Sequence, residues 1–224
     1  MSESARMLFL GKKGDAQTRR ALAFCRQRCA HVTAYLGQWG DEASEDLDWW
    51  TGEYLISYLS PWICPEHLLQ RTVVAALNFH PAPPTYPGIG CVNFALYEGA
   101  TTYGVTCHHM ASTVDTGPIV AVKRFGIDPA DTVETLLLRT YDEQLVLFYD
   151  IVGPLLRGEG LPKSAEHWTR PPFTRSQLDE LSRVTPAMNK EELARRIRAT
   201  TFGPWAPILE LHGFQFALSE DAGR

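Results

Sequence analysis

The stretch VVAALNFHPAPPTYPGIG, residues 73–90, joins a short apolar run to a loop made almost entirely of proline, glycine and small residues. The run from Val73 to Phe79 is bounded by turn formers and predicts a strand. Side chains alternate along a strand, so Asn78 and His80 share one face at its carboxyl end. Ligands of open parallel α/β sheets bind at that edge. The rigid loop that follows suits side chains that must be held in place before a reaction.

The sequence around this stretch alternates strand and helix patterns. Before it, the predicted segments are a strand at 7–10, a helix at 16–29, strands at 31–36 and 54–59, and a short helix at 65–71. After it come a helix at 91–97, strands at 103–110 and 119–125, and a helix from Asp131 to about Val152. This order predicts an α/β fold with a Rossmann-like, mostly parallel sheet flanked by helices.

The amino-acid composition of the chain changes beyond Gly160. A proline-rich stretch predicts an extended connector, and the segment with Arg195, Arg196 and Arg198 predicts a short helix with a solvated basic face. The closing ILELHGFQFAL predicts a β-hairpin that turns at His-Gly. We therefore expect a core at 1–160 and a small C-terminal extension at 161–224 that ends in this hairpin.

Composition excludes several classes of protein. The 224 residues are 45% hydrophobic and carry a net charge of -5, which argues against a broad nucleic-acid surface. No apolar run approaches the roughly 20 residues that span a bilayer, and the start lacks a secretory signal, so we expect a cytoplasmic protein without membrane contact. The odd number of cysteines, five, predicts reduced thiols, and we predict no metal site.

Three polar side chains are candidates for chemistry. Asn78 and His80 share the strand end, and Asp115 lies in a loop about 35 residues further on, before the next strand. An amide can donate to a developing oxyanion, an imidazole can move a proton, and a carboxylate can orient the imidazole. Together they describe acyl transfer between nitrogens. Turn capping by Asn78 and Asp115, with an interior His80, is the alternative. At most one of His108 and His109 can face such a site, because neighbours on a strand point to opposite faces.

Several short motifs around these residues resemble those of a known enzyme family. In order along the chain, Asn78–Pro81, Gly104–Thr106 and Val114–Ile119 resemble the catalytic core of the formyltransferases that use 10-formyltetrahydrofolate. The resemblance implies the formyltransferase fold, with Asn78, His80 and Asp115 as catalytic residues and the folate as co-substrate. It also implies that the pterin lies against Ser57, Tyr58 and Leu59 and against Val114, just before the aspartate.

The tail is most similar to that of the sugar-nucleotide N-formyltransferases, which implies a nucleotide-linked amino sugar as acceptor and a place in lipopolysaccharide O-antigen biosynthesis. Ala82 and the sequence Tyr86–Gly90 depart from the family pattern near the acceptor. We therefore expect Tyr86 to contact the acceptor, with Phe202 and Trp205 stacking on its base; packing in the core or at a subunit contact is the alternative for Phe202 and Trp205. An acidic chain without the further C-terminal domain of the methionyl-tRNA enzymes argues against a tRNA acceptor.

Other functions remain open on the sequence alone. The same three residues would serve formyl transfer to another small amine, or hydrolysis of formyltetrahydrofolate with water in place of the amine. A folate or nucleotide-sugar binding module without catalysis is the non-enzymatic alternative. All of these bind small molecules. The open edge of the terminal hairpin would also suit a homodimer.

Overall fold

In a computed structural model that describes residues 5–218, six strands form one mixed sheet. They are β1 (Arg6–Lys12), β2 (His31–Gly37), β3 (Gly52–Tyr58), β4 (Thr72–His80), β5 (Thr102–His109) and β6 (Ile119–Gly126). The sheet order is β2-β1-β3-β4-β5-β6; the first four strands are parallel, and β5 is antiparallel to both its neighbours. The predicted mostly parallel α/β sheet is confirmed.

Two long helices cover one face of this sheet: α1 (Ala16–Arg26) and α4 (Val133–Leu156). The carboxylate of Asp15 accepts the amide of Thr18 and caps α1. Helix α4 runs past Val152, where its end was predicted, although Pro154 lies in its last turn. It continues because Leu155 and Leu156 are buried against the sheet, together with apolar side chains of β1, β3, β4 and β5.

Shorter helices lie elsewhere around the sheet. They are α2 (Glu66–Gln70), a 3-10 turn at Glu45–Trp49, and α3 (Cys91–Tyr97), which follows the Pro/Gly loop. The first two cover the second face of the sheet, where Leu8, Leu10 and Leu55 meet Leu47 and Leu68. Apolar side chains therefore lie on both sheet faces, as expected for strands whose neighbours are parallel.

The tail contains α5 (Arg175–Ser182), β7 (Arg183–Val184), α6 (Lys190–Thr200), β8 (Ile208–Leu211) and β9 (Phe214–Ala217). Strands β8 and β9 form the predicted antiparallel hairpin, and β7 pairs with β8 in a parallel arrangement. Helix α5 lies where we expected no helix. A signal for it exists in the sequence, because Thr174 and Gln177 form a capping box at its start.

The tail packs closely on the core. The amide of Asn93 in α3 donates to the carbonyl of Ala199 in α6 at 2.7 Å, and the hydroxyl of Tyr97 donates to Glu192 at 2.9 Å. The boundary at residue 160 stays a prediction. Within residues 5–218, no helix combines the length and the hydropathy needed to cross a bilayer.

Candidate active site

Asn78, His80 and Asp115 meet at one cavity beside the carboxyl end of β4. Asn78 and His80 leave the strand on the same face, as period-two geometry requires. Asp115 reaches them from the loop that connects β5 to β6. The Nδ1 atom of His80 lies 3.2 Å from Oδ2 of Asp115, and both side chains are almost fully buried. Asn78 is partly exposed and borders the cavity.

The carboxylate of Asp115 has three partners. Its Oδ2 accepts the backbone amide of Gly88 at 2.8 Å and faces His80. Its Oδ1 lies 3.3 Å from Nε2 of His108. Burial alone would raise the pKa of Asp115, but the two imidazoles and the Gly88 amide outweigh it and hold this pKa below 3.8. The group is therefore ionised at neutral pH.

The imidazole of His80 has a defined orientation. Its Nε2 donates to the backbone carbonyl of Tyr86 at 3.0 Å, and since a carbonyl only accepts, the proton of the neutral ring sits on Nε2. The unprotonated Nδ1 then faces Asp115. Burial lowers the pKa of His80 below 6.5, and Asp115 offsets this only in part.

These protonation states leave room for one proton between His80 and Asp115. Nδ1 of His80 lies 3.2 Å from Oδ2 of Asp115, close enough for the imidazole and the carboxylate to share one proton. A proton released by a reacting group at the cavity can enter this position and create an imidazolium–carboxylate pair. The arrangement can therefore act as a general base, and on return of the proton as a general acid.

His108 completes the cluster, and no motif in the sequence indicated a role for it. It is 2% exposed, while the neighbouring His109 points away from the site. Its Nε2 lies 3.0 Å from the amide nitrogen of Asn78, and its Nδ1 donates to the carbonyl of His109 at 2.8 Å. The strand alternation limited the choice to one of the two histidines but did not say which one.

Trp168, from the segment after α4, closes the back of the cluster. Its indole ring is edge-on to His80 and His108, with ring centroids 5.7 and 5.0 Å away. Its N–H donates to the carbonyl of Gly117 at 2.8 Å. A Cβ at position 117 would lie 1.8 Å from the carbonyl oxygen of His109, so only glycine fits there. Trp168 thus packs against the catalytic candidates.

The cavity next to the cluster has a volume of about 380 Å³. Three of the residues predicted to contact folate, Ser57, Leu59 and Val114, line it. The side chain of Tyr58, the fourth residue of that prediction, is fully buried between Phe79 and Phe148 and does not line the cavity. Alternation along β3 explains this, because neighbours of Ser57 point to the opposite sheet face.

Tyr86 also differs from its predicted role as an acceptor contact. Its ring is buried between Tyr103 and Phe173, and its hydroxyl donates to Glu98 at 2.9 Å. It does not line the 380 Å³ cavity. Its carbonyl holds Nε2 of His80, so it contributes to the site through the backbone.

Phe202 and Trp205 lie at a second cavity, of about 470 Å³, between α3, α5 and α6. This cavity and the first one share Pro81 and Gly88 in their walls. The guanidinium of Arg175, which borders the second cavity, lies 5.6 Å from the ring of Trp39, which borders the first. The structure thus places these two aromatic residues beside the catalytic cavity and outside it.

Fold and site together define a Rossmann-like α/β protein with a buried acid–base cluster at the carboxyl edge of its sheet. The chain belongs to the formyl transferase family, whose model matches residues 40–152, just over half of the sequence. All three candidate catalytic residues lie within the matched range.

Curated relatives include enzymes with different acceptors. Phosphoribosylglycinamide formyltransferase of Bacillus subtilis is 36% identical over 97 residues, which cover 41% of this chain and 50% of that protein. GDP-perosamine N-formyltransferase of Brucella melitensis is 25% identical over 153 residues, which cover 67% of this chain and 58% of that protein. The matched part of the chain thus spans about half the length of these relatives.

Solved structures share the fold over nearly the whole chain. A sugar N-formyltransferase from a Shewanella species superposes with a TM-score of 0.77 at 16% identity, covering 95% of this chain and 96% of that one. The N-formyltransferase of Helicobacter canadensis, solved with folinic acid and dTDP-3-aminofucose, gives 0.72 at 15% identity, covering 93% and 85%. At these identities the likeness concerns the fold alone.

Proposed function

We propose that this protein is an N-formyltransferase that moves a formyl group from 10-formyltetrahydrofolate to the amine of a nucleotide-linked amino sugar. The observation that carries the proposal is the meeting of Asn78, His80 and Asp115 at one cavity. Membership of the formyl transferase family supports the same chemistry.

The donor fits the first cavity. Its lining is mainly apolar and aromatic, with Trp39, Trp62, Ile63 and Met110 beside a few polar groups, which suits a flat heterocycle such as a pterin. Ser57, Leu59 and Val114 would contact that ring system. The Helicobacter canadensis neighbour was solved with folinic acid, a formylated folate, and this supports the choice of donor.

The reaction requires a proton to move from one nitrogen to another. As the acceptor amine attacks the formyl carbon, a C–N bond forms, the carbonyl oxygen becomes negative and the amine becomes positive. An N–H of Asn78 would donate to that oxygen. The amine proton would enter the position between His80 and Asp115 and then pass to N10 of the folate as its bond to the formyl carbon breaks.

The acceptor would span both cavities. Its amino sugar would approach Asn78 in the first cavity, and its nucleotide would lie in the second, against Phe202 and Trp205. Arg175 is the one lysine or arginine that borders either cavity within residues 5–218, and it would face the phosphates. The GDP-perosamine relative and the neighbour with dTDP-3-aminofucose support this acceptor class, and with it a role in lipopolysaccharide O-antigen synthesis.

The test incubates the purified protein with 10-formyltetrahydrofolate and a panel of amines: GDP-perosamine, dTDP-3-aminofucose, glycinamide ribonucleotide and methionyl-tRNA. Tetrahydrofolate release and the mass of the formylated product are measured. We expect turnover with one or more nucleotide amino sugars, and loss of turnover in Asn78→Ala. The variant His67→Asn changes an exposed histidine on α2 and serves as the matched control.

Three outcomes would contradict the proposal in different ways. Turnover confined to glycinamide ribonucleotide or methionyl-tRNA would replace the acceptor class. Tetrahydrofolate release without any amine would make the protein a hydrolase. Saturable binding of folate and nucleotide sugar without product would make it a binding module.

A further inference from the structure

One face of helix α5 borders the second cavity, to which the proposed function assigns the nucleotide. Four of its side chains line this cavity at spacings of three and four residues, which places them on one side of the helix: Arg175, Leu178, Asp179 and Ser182. Arg175 and Asp179 are the two charged side chains in the cavity wall within residues 5–218. They lie one helical turn apart, so a single ligand can meet both.

The carboxylate of Asp179 is an acceptor without a protein partner. The backbone carbonyl of this residue accepts the hydroxyl of Ser182 at 2.8 Å, whereas its side chain forms no hydrogen bond or ion pair within residues 5–218. An ionised carboxylate has two oxygens side by side, and both can only accept. The group therefore favours a ligand that offers two adjacent N–H donors.

The hydroxyl groups in the cavity wall do not change this preference. Ser182 donates its proton to the backbone of Asp179, and Thr200 donates to the carbonyl of Arg196 at 2.8 Å. Because these protons are already used, the lone pairs of both oxygens are what the hydroxyls offer to a ligand. Neither hydroxyl therefore supplies a donor for a carbonyl group of a base.

The common nucleobases differ in the donors on their Watson–Crick edge. Guanine has N1–H and N2–H2 next to each other, and these two donors can meet both oxygens of one carboxylate. Uracil and thymine have one N–H between two carbonyls. Adenine and cytosine have an amino group beside an unprotonated ring nitrogen. In these four bases, an acceptor next to the donor would repel one carboxylate oxygen, so a carboxylate selects guanine.

We infer that Asp179 recognises the base of the acceptor nucleotide and selects guanine, so that the amino sugar is carried by guanosine diphosphate. The inference rests on the proposed function for the presence of a nucleotide in the second cavity. Arg175 meets the phosphates, and the rings of Phe202 and Trp205, which are parallel within 4°, stack on the base. Base and phosphates are thus recognised by different side chains of one helix, and their contributions can be measured separately.

The test measures binding without turnover. Calorimetric titration of the purified protein compares GDP with inosine diphosphate, dTDP, UDP and ADP. We expect GDP to bind about tenfold or more tightly than dTDP, UDP and ADP, and inosine diphosphate, which lacks the N2 amino group, to lie between. Equal affinities for all five, or tighter binding of dTDP or UDP, would overturn the inference and leave the proposed transfer to a nucleotide sugar intact.

Two substitutions on α5 separate recognition of the base from recognition of the phosphates. Asp179→Asn replaces one oxygen by NH2 and so matches xanthine, which has a C2 carbonyl beside N1–H. We expect this variant to bind GDP about tenfold more weakly and xanthosine diphosphate about tenfold more tightly. Arg175→Gln should weaken all the nucleotides by a similar factor. An unchanged preference for GDP in Asp179→Asn would overturn the role of Asp179.

The matched control is Glu180→Gln, which changes the neighbouring carboxylate on α5 that does not line the cavity. It should leave every affinity unchanged, and circular dichroism checks that all variants are folded. If no nucleoside diphosphate binds, the inference and the proposed acceptor class are both wrong. If a dTDP-linked amino sugar is formylated as efficiently as a GDP-linked one, only the selection of guanine is wrong.

Discussion

Asp115 holds its backbone in the left-handed region, with a φ of 49°, a conformation that few residues other than glycine adopt. Such a backbone costs about 1–3 kcal/mol and persists only where the surroundings fix it. Here the Gly88 amide and two imidazoles hold the carboxylate in place. The strain is therefore offset by contacts that also aim the carboxylate at His80.

Substitution of either member of this pair should remove most of the activity. We expect His80→Asn and Asp115→Asn each to lower kcat by about a hundredfold or more, since each removes proton transfer while keeping a similar shape. Steady-state kinetics with the best acceptor of the panel measure this. His67→Asn and Asp48→Asn, which change an exposed pair, should leave kcat unchanged. Near-normal rates in both site variants would exclude the pair from the mechanism.

The pKa of His80 sets the acid limb of the activity profile. Because burial lowers this pKa below 6.5, the neutral ring persists through neutral pH, and kcat/KM should be constant there and fall only below pH 6.5. The stability of the fold should also decrease as the pH falls. The unfolded chain binds the proton more readily below 6.5, so the free energy of unfolding decreases as the pH falls, and again below 3.8 for Asp115. An acid limb that begins above pH 6.5 would contradict this assignment.

At the scale of elements, the segment 168–173 crosses from the tail to the catalytic loops. The N–H of Phe173 donates to the carbonyl of Pro87, and the N–H of Ile89 donates to Phe173, both at about 3 Å. Arg170 pairs with Glu98, the carboxylate that also holds the hydroxyl of Tyr86. This segment, which we call the strap, therefore holds the loop whose backbone orients His80 and Asp115.

Trp168 is the residue of the strap that packs against the imidazoles of His80 and His108. The hydrogen bond of its indole N–H can be tested by substitution. Trp168→Phe keeps an aromatic ring but removes the donor to Gly117. We expect the free energy of unfolding to fall by about 1 kcal/mol, and kcat to fall about tenfold as the Asp115 loop loosens. The control Trp49→Phe changes a tryptophan that is 79% exposed. Unchanged kinetics in Trp168→Phe would show that the loop needs no support from the indole.

At the scale of the whole molecule, local patterns predicted the sheet and most of the cluster. Period-two alternation placed Asn78 and His80 together, and turn chemistry placed Asp115 between two strands. The side-chain positions that differ from the sequence-based expectation depend on contacts between distant segments. Burial of Tyr58 follows from helices α1 and α4 covering its sheet face, and the inward position of Tyr86 follows from packing on Phe173. Alternation along β3 separates Tyr58 from Ser57, but no local pattern shows that helices cover the face of Tyr58 or that Tyr86 packs on Phe173.

The second cavity offers a prediction that separates acceptor from donor. Trp205 is 63% exposed at its edge and lies parallel to Phe202, with centroids 5.8 Å apart. If a nucleobase stacks there, Trp205→Ala should raise the KM for the nucleotide sugar about tenfold and leave the KM for folate unchanged. Trp49→Ala is the matched control. An equal rise in both KM values, or in neither, would remove the base from this cavity.

The backbone pairing of Gly88 with Phe173 limits how the sequence of this protein can evolve. A Cβ at position 88 would meet the Phe173 carbonyl oxygen at 2.3 Å, and the same glycine donates its amide to Asp115. The sequences of the tail and of the catalytic loop therefore cannot diverge independently. A chimera that grafts a foreign tail onto this core would inherit a new acceptor surface only if its incoming backbone reproduced that one contact.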